Sequence, residues 1–237
     1  MSIGGTGMNR LDKALNGKPG LQLFVSLPAN DIKLAEAALA AGADGLKVHI
    51  NVGHRASGNR FGALDSYAGI FKEIRSHFDG PFGIVPGGSV EEVNPEEITR
   101  LPELGIDFYS IYAFHHPSFL LRAPGLAKTF AIDSGFDRSI VEGGRAFGVS
   151  ALEASIVPGN EYGTRLTLSD LLHYRWLAAH TGLPVIVPTQ RKIGPEDIPA
   201  LADSGVKVLL VGAVVTGNEA EGIRREIAAL RNAIDRL

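Results

Sequence analysis

Residues 184–217 read PVIVPTQRKIGPEDIPALADSGVKVLLVGAVVTG, and their reading decides the fold. The run divides into an apolar strand, a basic turn, a short helix opened by Pro-Glu-Asp, a second apolar strand and a glycine-containing end. Short strands buried on both faces and separated by a helix belong to a parallel sheet. In a (β/α)8 barrel the loops after the last two strands are a common seat for phosphate. The stretch therefore predicts both a scaffold and an anion site at one end of it.

Working outward, the same alternation extends over the chain. A short amphipathic segment, Asn9 to Leu15, precedes strand Leu21–Leu27. Helix Asp31–Ala41, strand Gly45–Asn51, a polar loop from Val52 to Gly62 and helix Ala63–Phe78 follow. Strand Phe82–Pro86 leads to a helix with Asn94 as cap and Pro95 in its first turn. Strand Phe108–Phe114 comes next. Between His115 and Gly148 the pattern weakens to two helical stretches, Ser118–Asp133 and Arg138–Phe147, with Lys128–Ile132 the sole strand candidate. Strand Val149–Val157, helix Leu168–His180, strands Pro184–Thr189 and Val206–Ala213, and helix Glu219–Leu237 complete the chain. The expectation is an α/β protein: one (β/α)8 (TIM) barrel domain over residues 1–237, its fifth strand irregular or missing.

Composition narrows the classes of function. A net charge of −3 argues against nucleic acid as partner, which calls for a basic face. The chain has no cysteine, which excludes thiolate catalysis and disulfide staples. No apolar run approaches a membrane span, and the first fifteen residues lack the apolar core of a signal peptide. A cytoplasmic protein without a membrane partner is expected.

Strand alternation selects candidate site residues, because outward side chains meet helices while inward ones near the strand ends can be polar. In the second strand Leu46, Val48 and Ile50 oppose Lys47, His49 and Asn51; in the sixth, Leu152, Ala154 and Ile156 oppose Glu153 and Ser155. Lys47, His49 and Glu153 are the catalytic candidates. A buried lysine and carboxylate suit proton transfer or, for Lys47, a Schiff base; equally, they form a pair that only orders the core. Histidine titrates near neutrality and suits acid or base work. Ser26 and Asn51 are expected to orient substrate. The loop after the second strand exceeds the usual length of about two to six residues, and its Arg55 and Arg60 are expected to meet an anionic substrate. Gln190 is placed with these substrate-binding groups. His115-His116 invites a metal, but no carboxylate or cysteine spacing supports one, so neither metal nor cofactor is expected. The segment Pro158–Gly163 reads as a lid, with Glu161 as a further acid or base.

The stretches GLQLFVSL, AALAAGADGLKV, SIVPGNEYG and PVIVPTQRKIGPEDIPALADSGVKVLLVGAVVT resemble the ribulose-phosphate-binding barrel superfamily, and within it the N-acetylmannosamine-6-phosphate 2-epimerase type. The resemblance implies a phosphate held by Arg191, Lys192 and Gly194 and by Gly212 and Ala213, largely through backbone N–H groups. It does not extend to the epimerase's chemistry. The family's lysine at the end of the third strand falls at Pro86, and its glutamate at the end of the seventh falls at Thr189. The expected function is a lyase, aldolase, isomerase or epimerase acting on a small phosphorylated sugar or keto acid, in a homodimer. The alternatives are a non-catalytic barrel that binds a phosphorylated ligand and, behind it, a prenyl- or glycosyl-type transferase.

Overall fold

A computed structural model describes residues 8–17, 19–141 and 143–237, the side chain of Ile140 excepted. Eight parallel strands close into a barrel: β1 (Gln22–Ser26), β2 (Gly45–His49), β3 (Phe82–Val85), β4 (Phe108–Tyr112), β5 (Ala127–Ile132), β6 (Ala151–Ala154), β7 (Val185–Pro188) and β8 (Val208–Val211). Closure comes from β1, which pairs with β2 on one side and β8 on the other. An additional hairpin, Val52–His54 with Asn59–Phe61, rises from the end of β2.

The fifth strand exists, which corrects the expected helix over Ser118–Asp133. The first part of that stretch, Ser118–Arg122, is a 3-10 turn, and the second is β5. Its AKTFAI sequence alternates as a barrel strand should: Phe130 and Ile132 pack outward, while Ala127 joins the interior. The second expected helix shrinks to α-helical Arg138–Val141 followed by the 3-10 turn Gly144–Phe147.

Two apolar layers hold the barrel. The larger lies between strands and helices, where Leu23, Val25, Leu46, Val48, Leu209 and Val211 meet residues such as Ile223 and Ile227 of the C-terminal helix Ala220–Ile234. The smaller fills the barrel's lower interior with Phe24, Phe108, Ile186 and Val208. Phe108 lies against Gly83 so closely that a Cβ there would strike its ring, so a glycine is needed at that inward position. The N-terminal helix Arg10–Gly17 plugs the bottom, adding Leu11 and Leu15 to the interior cluster. Asp107 locks that end by accepting from Arg10, Arg75 and the Phe82 N–H. With one mouth stoppered by a helix, the interior opens at the other, where the strands end at their C-termini. Among the described residues no helix is long and apolar enough to cross a membrane.

Candidate active site

At the open mouth lies a cavity of about 570 Å³. Its floor is built by inward residues of alternate strands, as the layered packing of this fold requires. Lys47 of β2 donates from Nζ to both carboxylate oxygens of Glu153 on β6, at 2.9 and 2.8 Å. Ser110 of β4 donates to Glu153 Oε2 at 2.7 Å. Lys47 and Glu153 are only 4% and 6% exposed, yet both line the cavity. Burying either charge alone would be costly, and the bidentate geometry with the serine makes burial tolerable. The three side chains thus form a cluster without net charge that lines the cavity.

One pleat nearer the mouth, His49 stacks on Phe61 at a ring-centroid distance of 4.8 Å and meets the tilted His54 ring at 4.4 Å, the three rings forming a cluster. Its Nε2 lies 3.4 Å from Ser26 Oγ, and Nδ1 is buried with no partner. Burial pushes the His49 imidazole well below the usual histidine range, and the neighbouring His54 and Lys47 add to the effect. His54 is likewise lowered to about 4, first by burial and then by Lys47, with Glu153 opposing. Both rings are therefore neutral at pH 7, and each can donate at one nitrogen and accept at the other. The hairpin that carries His54 and Phe61 covers the His49 side of the cavity.

Opposite the hairpin, the ends of β6, β7 and β8 make a polar wall. Gln190 accepts from the Val157 N–H and donates to the Tyr162 hydroxyl. Thr189 Oγ1 accepts from the Gly212 N–H at 2.8 Å. Arg55 reaches from the hairpin tip across to Tyr162, its guanidinium 5.9 Å from the ring centroid and lying over Gly159. Tyr112 stands beside Ser155, and burial raises its hydroxyl to about 12.

The structure brings together Ser26, Lys47, His49, Arg55, Glu153, Gln190 and Gly212 of the residues expected from sequence. It does not bring in the others. Asn51 adopts φ 52°, which takes it off the strand's alternation and turns its amide to the buried Glu97. Arg60 sits on the outer hairpin strand, paired with Glu92. Arg191 pairs with Asp170 and Glu161 at 3.0 and 2.7 Å, its buried Nε is left without a partner, and it does not line the cavity. That pairing also engages Glu161, the lid's candidate acid. The Lys192 N–H is taken by Thr164 O and the Gly194 N–H by Asp197, leaving the basic turn without free amides at those positions. Neither residue lines the cavity, and Ala213 does not either. At the ends of β7 and β8, Thr189, Gln190 and Gly212 line the cavity.

Sequence reasoning missed Phe114, Asp133 and Tyr162, all of which line the cavity. Asp133 directly follows β5 and was hidden inside the helix read there; the alternation of AKTFAI was the available signal. Among the described residues no cluster of three or more histidine or acidic side chains could hold a metal ion.

A closed parallel barrel with a buried ion pair facing its C-terminal mouth defines the class of molecule. No protein-family model matches the sequence, and no curated protein does. Solved structures resemble it in fold. Thiamine phosphate pyrophosphorylase from Pyrococcus furiosus superimposes with a TM-score of 0.65 at 15% identity, covering 95% of this chain and 98% of that one. A mutant tryptophan synthase α-subunit from the same organism gives 0.69 at 16%, covering 90% and 98%. A protein from Aquifex aeolicus VF5 gives 0.69 at 14%, covering 95% and 99%. At such identities the likeness establishes the (β/α)8 barrel and nothing finer.

Proposed function

We propose that this chain is an enzyme of the lyase or isomerase type, acting on a small phosphorylated sugar or keto acid at the barrel's C-terminal mouth. The observation that carries the reading is the Lys47–Glu153 pair, buried on every side except the one that faces the cavity. A carbonyl compound entering there meets a base and a cation held together. Glu153 removes a proton from the carbon beside the carbonyl, and the Lys47 Nζ stabilises the resulting enolate oxygen. The protonated Glu153 then returns the proton to carbon, neutral His49 can hydrogen-bond the substrate through one nitrogen, and Ser110 keeps the carboxylate aimed. The phosphate is assigned to the wall formed by Thr189, Gln190 and Gly212, with Arg55 supplying positive charge from the rim.

The pairing bears on the Schiff-base variant as well. An amine held by both oxygens of one carboxylate is a poor nucleophile until a substrate separates them. The clamp reading is therefore preferred over the covalent one. A non-catalytic, ligand-binding barrel is the second reading, because Lys47, Glu153 and Ser110 already satisfy each other. Incubation with phosphorylated sugars and keto acids under borohydride separates the three. The proposal predicts turnover without a reduced adduct at Lys47. A trapped adduct supports the covalent variant, and binding without turnover supports the sensor.

A further inference from the structure

The wall of the cavity nearest β4 is unlike the rest. Tyr112 and Phe114 stack with ring centroids 5.2 Å apart and planes 13° apart. His115 meets the edge of Phe114 at 4.4 Å. All three line the cavity, and Phe114 is 58% exposed at its mouth. A 3-10 turn, Ala113–His115, at the end of β4 holds the phenylalanine outward instead of letting it fold into the core. A large aromatic side chain kept in water at the lip of a polar cavity marks a contact surface for a ligand. The neighbouring wall is Gly87 and Gly88, with the Val52 and Glu92 side chains packed beside Gly88. The cavity volume, about 570 Å³, lies within the range of about 300–1,000 Å³ typical of pockets for drug-sized ligands.

We infer that Tyr112 and Phe114 form a subsite for a planar, unsaturated ring, so that the molecule bound here is two-ended, with a phosphate at one end and a ring at the other. The inference rests on the phosphate assignment above for the far end only. The barrel's polarity supports this division: the hydroxyl and amide side chains of Ser155, Thr189 and Gln190 gather at β6 to β8, while the stacked aromatics stand at β4. An offset-stacked ring would extend the pair by a third layer, the arrangement aromatic groups prefer. The Lys47–Glu153 floor then lies between the two ends, beneath whatever bonds join them.

The test uses three probes on the intact protein: 3-phenylpropyl phosphate, glycerol 3-phosphate and 3-phenylpropanol. Calorimetry gives affinities, and saturation-transfer NMR shows which protons touch the protein. The expected result is that the aryl phosphate binds at least tenfold more tightly than glycerol 3-phosphate. Phe114→Ala should abolish that ratio while leaving glycerol 3-phosphate unchanged; Phe114→Tyr should keep it. 3-Phenylpropanol should show saturation of its ring protons in the wild type and lose it in Phe114→Ala. Ring contact without any phosphate affinity sustains the ring subsite and defeats the phosphate assignment. Glycerol 3-phosphate binding with no gain from the ring, or a gain that survives Phe114→Ala, overturns the subsite. Absence of binding by all three probes overturns both.

Discussion

A lysine inside a β-barrel is tolerable only while its carboxylate stays with it. Lys47→Met should leave the Glu153 carboxylate buried and uncompensated, costing about 3–5 kcal/mol of stability in urea denaturation. Adding Glu153→Leu to it should restore most of the loss, since an apolar pair of similar size avoids the desolvation cost. A single variant as stable as the wild type would mean that the pair is hydrated. The histidines give a second residue-scale test. Their folded-state pKa values lie below the unfolded value near 6.5, so folding is disfavoured once unfolded chains take up protons the native state refuses. Stability should be flat above pH 6.5 and fall as the pH drops toward about 4, where His54 itself protonates. Each histidine contributes at most about 1.4 kcal/mol per pH unit in that window. His54→Gln should reduce the slope by up to one proton while His49 and His116, whose imidazole burial also lowers, keep the remainder; an unchanged slope would contradict the burial of His54. Lys47, His49 and Glu153 were legible in the sequence because strand parity alone puts them inside. Asn51 was not, because a left-handed backbone at one residue breaks that parity.

At the scale of elements, the basic turn after β7 is legible in the sequence as structure, while the partners of its arginine are not. The TQRKIG turn is where a strand ends and a short helix follows, but its arginine serves the neighbouring loop. Arg191 ties Asp170, in the capping box that opens helix Leu168–His180, to Glu161 in the preceding loop. Arg191→Ala should therefore destabilise the fold by about 3–5 kcal/mol, because it leaves Asp170 buried without its partner. Phosphate affinity, measured on the folded variant, should not change. Unaltered stability with weakened phosphate binding would return the arginine to the site. The partners of Arg191 lie 21 and 30 residues away along the chain, and no local pattern announces them. The fifth strand failed for the opposite reason: AKTFAI alternates, but leucine-rich SFLLR before it imitates a helix that runs into it.

For the molecule as a whole, closure of the barrel was legible because each strand is bounded by its own helix or turn and the alternation rarely lapses. What the sequence could not show is which end would be stoppered. The N-terminal helix seals one mouth with Leu11 and Leu15, and the β2 hairpin leans over the other through Arg55 and Tyr162. The cavity results from these long-range contacts, and so does the direction in which Lys47 and Glu153 look out. The proposed function requires this pair to transfer a proton. It is tested most directly by NMR in deuterium oxide, following carbon-bound protons of phosphorylated sugars and keto acids incubated with wild type and Glu153→Gln. The variant keeps the shape of the side chain and removes the base. The account predicts deuterium incorporation beside the carbonyl of at least one compound with the wild type, and a loss of about 100-fold or more in the variant. Exchange at equal rates in both proteins would contradict it.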